Sequence, residues 1–294
     1  KLLLKNRRSF DTNMNRDQLY AMNIHYRYYD LEYFFRACQK MNLKHAELWL
    51  CPQHFYINSM WSESPEKLKG LMKRSGVQIS CICPEQNNPK PNNIAARSEL
   101  LIENTRKYFQ NVIILASELG CDKILVTPGW NYHDEEVDEA RKRSIRMLQS
   151  LCDIADPYGI SLAMESIWDH SSDIANTKEK VKLIKDGVDR ENFKLTVDLG
   201  ALGAVSESIE EWFALFGEDI IHCHFTDGKP AGCPTGHMPW GLGERNMLEV
   251  LKAFEANEYR GGFSMEYVDA RSFRNPEKWD RQTVEQFESC LERM

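Results

Sequence analysis

Four side chains that can bind a metal ion stand near the ends of four consecutive apolar segments in the second half of the chain. They are Glu165, Asp198, His224 and Glu266. Carboxylates are rarely fully buried unless they are paired, so three of them in apolar surroundings indicate a shared positive partner. For one such carboxylate alone, an ion pair or a buried hydrogen bond is the simpler interpretation. The set of four predicts a single divalent-metal site.

The donor types narrow the choice of metal. Two Glu, one Asp and one His offer mostly hard oxygen donors with one imidazole, which suits Mn²⁺, Co²⁺, Mg²⁺ or Fe²⁺ better than a thiolate-preferring metal. Manganese is the first expectation, and zinc stays an alternative. His222 points to the same face as His224 because side chains alternate along a strand. His224 lies nearer the end of its segment, so it is the expected ligand, and His222 is expected to be a hydrogen-bonded or core residue.

A metal beside two carboxylates can support several reactions, and one of them is proton transfer at a carbon next to a carbonyl. A sugar with a carbonyl beside a hydroxyl can chelate the metal through both oxygens, and the metal then lowers the cost of an enediolate. A carboxylate on one face removes the proton, and a second carboxylate on the other face returns one, which inverts the carbon. Glu165 and Glu266 are the predicted acid/base pair as well as ligands. Asp198 and His224 are expected to act as ligands only.

The elements that must position these residues form a repeating pattern. Short apolar segments alternate with longer segments of helical period, which is typical of βαβ units and a parallel sheet. Helix signals lie between them; for example, Ser64 is the predicted N-cap of the second helix, with Pro65 at its first position. The eight predicted strands cover residues 18–25, 45–50, 77–83, 122–127, 161–166, 194–199, 220–227 and 262–267.

This pattern predicts an α/β fold, a (β/α)₈ TIM barrel in which the strand ends converge on one mouth. No linker or change of composition divides the chain, so residues 1–294 are expected to form one domain, with residues 1–16 as an N-terminal extension. The last helix is expected over about 276–293. An open, doubly wound sheet is the alternative, but no GxGxxG string follows the first strand.

Composition limits the partners. The net charge is −7 at pH 7, which disfavours nucleic-acid binding because phosphate recognition needs clustered Lys and Arg. Nine cysteines, an odd number without CxxC pairs, indicate a reducing compartment. No apolar run is long enough for a membrane span, and the start of the chain is unlike a signal peptide. A cytoplasmic protein with a small-molecule partner is expected.

The chain resembles the xylose-isomerase-like TIM barrels of sugar isomerases and epimerases. Members of that family carry a Glu on strand 5, an Asp ending strand 6, an H-x-H-φ-x-D string on strand 7 and a Glu on strand 8. Glu165, Asp198, His224 and Glu266 match these positions. Three further strings are similar: HAELW at 45–49, Asn176-Thr177, and the H-x-P-x-G-x-G string that begins at His237.

The resemblance implies a metal-dependent isomerase or epimerase that acts on a ketose or a ketose derivative. Ketose epimerases of the tagatose type place a His three residues after the strand-6 Asp, where this chain has Ala201. The fructoselysine 3-epimerase type is nearer, because it also lacks that His and shares the strings at Gln53-His54 and 84–87. An inosose-dehydratase-type lyase is an alternative. A zinc-dependent endonuclease at abasic DNA sites fits less well, since it needs further His ligands.

Five residues are predicted substrate contacts. Glu47 and His54 lie at and after strand 2, Glu85 lies in a polar segment after strand 3, Lys229 follows strand 7, and His237 belongs to the late string. A solvated loop position is an equal alternative for Glu85, and for Lys229 a flexible surface lysine is the favoured interpretation. The resemblance also implies a homo-oligomer, either a dimer or a tetramer.

Overall fold

The computed structural model describes residues 13–86, 91–168, 172–229 and 237–294. In them eight parallel strands close into a barrel in sequence order, with β8 paired to β1. This confirms the predicted TIM barrel. Of the predicted N-terminal extension, residues 1–12 lie outside the described residues. The strands are β1 Leu19–Met22, β2 His45–Trp49, β3 Gln78–Cys83, β4 Lys123–Val126, β5 Ser161–Glu165, β6 Phe193–Asp198, β7 Ile220–His224 and β8 Gly262–Ser264.

Helices follow the strands around the barrel, and in the described residues β6 is followed by two of them. They are α1 Leu31–Lys40, α2 Glu66–Ser75, α3 Glu99–Leu119, α4 Val137–Ala155, α5 Lys178–Val188, α6 Leu199–Val205, α7 Ile209–Phe216, α8 Met247–Ala256 and α9 Pro276–Leu291. The expected last helix is thus present as α9. None of the described helices is both long and apolar enough to cross a membrane.

Local sequence explains where several helices begin and end. The Ser98 side chain accepts a hydrogen bond from the backbone N–H of Leu101 at the start of α3, which satisfies one of the free donors of the first turn. At the end of α3, Gly120 adopts φ 68°, a left-handed conformation that glycine takes without strain. The predicted start of α2 is wrong by one residue, because Pro65 is the N-cap and Glu66 the first helical residue.

Three strands end three residues earlier than predicted. β1 ends at Met22 and continues as the 3₁₀ helix Asn23–Tyr26, and β7 ends at His224. β8 ends at Ser264, so Glu266 lies two residues beyond the strand rather than within it. The backbone N–H of Glu266 bonds the carbonyl of Ser264 instead of a neighbouring strand. This local turn ends the ladder and directs Glu266 into the mouth.

The barrel interior is layered. An apolar cluster of Met22, Ile24, Cys81, Cys83 and Leu125 occupies part of it, while the outer faces of the strands pack against the helices in a much larger core. The eight cysteines among the described residues are buried and free, as expected of reduced cysteines that serve as small apolar residues. The candidate site is therefore a cluster of polar side chains surrounded by apolar layers.

Candidate metal centre at the barrel mouth

The structure brings the four predicted ligands together. Glu165, Asp198 and His224 are the last residues of β5, β6 and β7, and Glu266 follows β8. Asp198, His224 and Glu266 are buried, and the side chain of Glu165 is only 12 % exposed. Since parallel strands end at the same rim of a barrel, consecutive strand-end residues become neighbours in space.

Imidazole rings link these carboxylates. His224 Nδ1 lies 2.9 Å from Glu165 Oε2 and 3.0 Å from Glu266 Oε2. His237 was predicted as a substrate contact, but the structure places it among the predicted ligands. Its Nδ1 lies 2.7 Å from Glu266 Oε2, and its Nε2 lies 3.1 Å from Asp198 Oδ2. His237 therefore joins the candidate donor set.

The donor atoms converge without satisfying one another. His224 Nδ1, both ring nitrogens of His237 and Glu266 Oε2 are buried and form no hydrogen bond of acceptable geometry within the described chain. One ligand atom each from Asp198, His237 and Glu266 lie within 4.8 Å of one another. Buried polar atoms normally have partners, and carboxylate oxygens with imidazole nitrogens suit a divalent metal. The residues present therefore fit one metal ion.

Glu47 lies on the other side of His224, inside the barrel. Its carboxylate accepts from His222 Nε2 at 2.6 Å and from His224 Nε2 at 3.2 Å, and all three side chains are 0 % exposed. Donation from Nε2 to a carboxylate leaves Nδ1 of His224 free to bind a metal, the usual arrangement behind a histidine ligand. Glu47 was predicted as a substrate contact, and the partners that the structure provides are these two imidazoles.

Burial and neighbouring charges set the protonation of the cluster. Burial raises the pKa of Glu165; His224 opposes this rise, Glu266 and Asp198 add to it, and the result is about 7. Burial lowers the pKa of His224, but Glu266, Glu47 and Glu165 outweigh it and hold that pKa well above its usual value. Protons in the metal-free site thus occupy the positions where a cation would neutralise the same carboxylates.

Opposite shifts affect Glu266 and His222. Burial raises the pKa of Glu266, but His224 and His237 outweigh burial and hold it well below its usual value. Burial lowers the pKa of His222 to about 4 although Glu47 raises it. The pKa values of Glu165 and Glu266 are therefore shifted in opposite directions.

Three other residues were predicted as substrate contacts. His54 already has hydrogen-bond partners in the protein, and Glu85 and Lys229 lie in loops beyond the strand ends. His54 is buried, with Nδ1 2.7 Å from Asn23 Nδ2 and Nε2 2.8 Å from the carbonyl of Tyr29; it joins the loops after β1 and β2. Glu85 is half-buried in the loop after β3, of which residues 87–90 lie outside the described part. Lys229 is exposed and borders residues 230–236, also outside the described part.

Asp227 is a structural residue of the site to which the sequence assigned no role. Its buried carboxylate accepts hydrogen bonds at 2.7–3.0 Å from four backbone N–H groups, those of Gly228, Gly241, Gly243 and Arg245. A Cβ at Gly243 would collide with the Asp227 carboxylate, so the close approach requires glycine. In the sequence, the signal for this role was the Asp of the strand-7 string together with the glycines that follow His237.

Comparison with known proteins agrees with this architecture. A model of the xylose isomerase-like TIM barrel family matches residues 35–290. The chain belongs to this family.

Its relatives include an isomerase. Over 220 residues the chain is 28% identical to the uncharacterized protein MJ1311 of Methanocaldococcus jannaschii, with 71% of each chain covered. Over 197 residues it is 26% identical to an inosose isomerase of Bacillus subtilis strain 168, covering 64% of this chain and 69% of that one.

Solved structures share the fold. A D-tagatose 3-epimerase-like protein has a TM-score of 0.77 at 21% identity, covering 94% of this chain and 99% of the other. The IOLI protein with a bound zinc atom has a TM-score of 0.76 at 19% identity, covering 94% and 98%. Relatives and structural neighbours thus include sugar isomerases and epimerases. The nearer resemblance to the fructoselysine 3-epimerase type stays a prediction.

Proposed function

We propose that this protein is a divalent-metal-dependent isomerase or epimerase of a ketose or ketose derivative, of the ketose 3-epimerase or fructoselysine 3-epimerase type. One observation carries the proposal. The carboxylates of Glu165 and Glu266 approach the same nitrogen, His224 Nδ1, at 2.9 and 3.0 Å from different strands. Two carboxylates at one buried point can hold a cation and move protons on opposite sides of a substrate. Membership of the family supports the reaction class.

Glu165, Asp198, His224 and Glu266 would hold one metal ion, with manganese as the first choice and cobalt, magnesium, iron or zinc as alternatives. His237 is a further donor within reach of Asp198 and Glu266. When bound, the metal would supply Lewis-acid polarisation of the substrate carbonyl.

The two glutamates divide the proton transfer. Glu266 faces two imidazoles, with Oε2 3.0 Å from His224 Nδ1 and 2.7 Å from His237 Nδ1, and it is assigned the acceptance of the proton from the carbon beside the carbonyl. Glu165 approaches His224 Nδ1 from another strand at 2.9 Å, and it is assigned the return of a proton on the opposite face. The reverse reaction exchanges these roles. Inversion at one carbon follows from two proton transfers on opposite faces.

The test is proton exchange from deuterated water into a panel of ketoses, fructosamines and inosose, together with the metal content of the purified protein. We expect one metal per chain and deuterium incorporation by the wild type. Glu165→Gln and Glu266→Gln should each lower exchange by roughly 10² to 10⁴-fold. Glu118→Gln, on an exposed position near the end of α3, is the matched control and should leave exchange unchanged.

The outcomes separate the alternatives. Loss of water from inosose would indicate the lyase, and three zinc ions per chain would indicate the endonuclease. Absence of metal, or exchange that survives in both variants, would overturn the proposal. The expected dimer or tetramer stays a prediction that sedimentation of the same protein tests.

A further inference from the structure

Arg27 stands at the mouth end of the barrel, directly after the 3₁₀ helix that follows β1. Its guanidinium carbon lies 5.2 Å from the ring centroid of Trp49 and 4.3 Å from that of Phe273. Trp49 is the last residue of β2, and Phe273 lies in the segment between β8 and α9. The arginine thus spans the rim from the first two strands to the last, within the ring of loops where a barrel binds its substrate.

The guanidinium is held in place by contacts that need no carboxylate. Arg27 Nε donates to the carbonyl of Ile24 at 2.9 Å. Trp49 is itself clamped by Asn23, whose side chain accepts from the Trp49 N–H at 2.6 Å and donates to the Trp49 carbonyl at 2.9 Å. The ring of Tyr28 packs edge-on against Phe273. A guanidinium stacked on aromatic faces is fixed in orientation before any ligand binds.

The terminal nitrogens of Arg27 remain available. Within the described residues they donate no hydrogen bond, and no carboxylate lies within ion-pair distance. Arg245, another half-buried arginine, differs because its terminal nitrogens bond the carbonyls of Thr226 and Leu199. Burial lowers the pKa of Arg27, while the charges of Glu85 and Glu266 are among those that raise it. The Arg27 guanidinium is therefore close enough to Glu266 of the candidate site to interact with its charge.

We infer that Arg27 binds an anionic substituent of the substrate, a carboxylate or a phosphate, at the rim of the mouth. This inference rests on the proposed function and names its substrate class: a ketose whose non-reacting end carries a negative charge. The free edge of a guanidinium matches the two oxygens of such a group. The carboxylates of the candidate site are neutralised by the proposed metal and the neighbouring imidazoles, so an anionic substituent of the substrate needs a separate cation, which Arg27 supplies.

Matched ligand pairs test the inference directly. N-(1-deoxyfructosyl)glycine carries a carboxylate that N-methylfructosamine lacks, and fructose 6-phosphate carries a phosphate that fructose lacks. For each ligand we would measure Kd by calorimetry with the metal-loaded protein and kcat/KM by deuterium exchange. Arg27→Met should weaken the anionic member of one pair by roughly ten- to hundredfold, because a hydrogen bond to a charged group is lost. The member that lacks the carboxylate or phosphate should change less than about threefold.

Two further variants test whether the loss of affinity in Arg27→Met is specific or comes from misfolding. Arg27→Lys keeps a charge without the fork and should recover part of the affinity. Arg36→Met removes an exposed arginine of α1 and should change neither ligand. The ligand pair whose Kd values diverge in Arg27→Met shows whether the anion is a carboxylate or a phosphate. Equal losses for both members of each pair, or no loss for any anionic ligand in Arg27→Met, would overturn the inference.

Failure of the proposed function would look different. In that case no ketose would exchange deuterium at any metal loading. The calorimetric Kd values would still decide the role of Arg27, because they require no turnover. A preserved loss of anion affinity in Arg27→Met would then support an anion site on a different activity.

Discussion

At the scale of single residues, His224 connects the two halves of the candidate site. Its Nε2 lies 3.2 Å from a Glu47 oxygen inside the barrel, and its Nδ1 faces Glu165 and Glu266 at the mouth. A histidine that donates from one nitrogen presents the other to a metal in a fixed tautomer and orientation. In the proposed metal site, Glu47 would therefore act through His224 by fixing the orientation of its ring.

We predict that Glu47→Gln lowers the affinity for the divalent metal by roughly 10- to 100-fold, the usual effect of losing the carboxylate behind a histidine ligand. An amide has one accepting oxygen, so it cannot satisfy both His222 and His224 as the carboxylate does. Competition with a chelator measures the affinity. His45→Gln, at the first residue of the same strand, is the control. An affinity within twofold of wild type would contradict the role of Glu47.

His222 predicts a pH dependence of stability. Its pKa is lowered by burial to about 4 in the folded protein, against 6.5 for an ordinary histidine. Between these values the unfolded chain binds a proton that the folded chain does not, so the free energy of unfolding falls as pH falls. The total loss by pH 4 is about 3 kcal/mol.

Urea unfolding of the metal-free protein from pH 7 to pH 4 measures this loss. His222→Gln should show a shallower decline by about that amount, because the group that titrates is gone. Identical declines for the two proteins would show that His222 is not the residue responsible.

Some placements of the candidate ligands could be predicted from the sequence, and others could not. The positions of Glu165, Asp198 and His224 were predictable, because a strand's last residue must face the rim. The complete burial of Glu47 inside the barrel was not predictable. The pairing of β2 with β3 shifts register between Ala46 and Glu47, and an irregularity of this kind, which re-aims side chains, depends on the partner strand and has no local sequence signal.

At the scale of elements, the segment that carries His237 is fastened to the end of β7. Asp227 and Met238 form an isolated antiparallel bridge, with N···O distances of 2.9 and 3.3 Å. The Asp227 carboxylate then collects backbone N–H groups from the same segment. His237 reaches Asp198 and Glu266 because this segment is anchored.

We predict that Asp227→Asn lowers the free energy of unfolding by about 3 kcal/mol, since an amide directs its NH₂ at N–H groups that need an acceptor. Urea denaturation measures the change. Asp134→Asn, at an exposed position, should have no effect beyond roughly 0.5 kcal/mol. If the two variants unfold alike, the anchor is not Asp227.

The second helix after β6 was missed, although its signal is local. Ser208 and Glu211 form a capping box at the start of α7, and a Ser followed three residues later by Glu is the sequence form of that motif. The early end of β8 had no such signal. It depends on the bond from the Glu266 N–H to the Ser264 carbonyl, which competes with pairing between strands and is decided by the fold around it.

At the scale of the whole molecule, two sets of contacts join the first and last elements of the barrel. β8 pairs with β1, and α9 is bonded to the loop after β1 through Asp280. The Asp280 carboxylate lies 2.7 Å from His25 Nε2 and accepts from the Tyr26 hydroxyl at 2.6 Å. The side chains of His25 and Asp280 are fully buried. The sequence alone did not exclude an open sheet by its strand pattern, because this closure depends on residues distant in the chain.

We predict that Asp280→Asn costs about 3 kcal/mol of unfolding free energy, because one partner of a buried charged network is removed. Urea denaturation of the variant beside Glu285→Gln, which alters an exposed position of the same helix, measures the cost. A midpoint for Asp280→Asn equal to that of Glu285→Gln would contradict the role of Asp280 in closure.

The pairing of β1 with β8 has a consequence during synthesis. A ribosome makes β1 before the other seven strands of the barrel and β8 after them, so one edge of β1 has no partner until β8 has been made. Unpaired strand edges are templates for association with other chains, and incomplete chains are the forms most prone to aggregate. The nascent chain, rather than the folded protein, is therefore where chaperone binding should matter most.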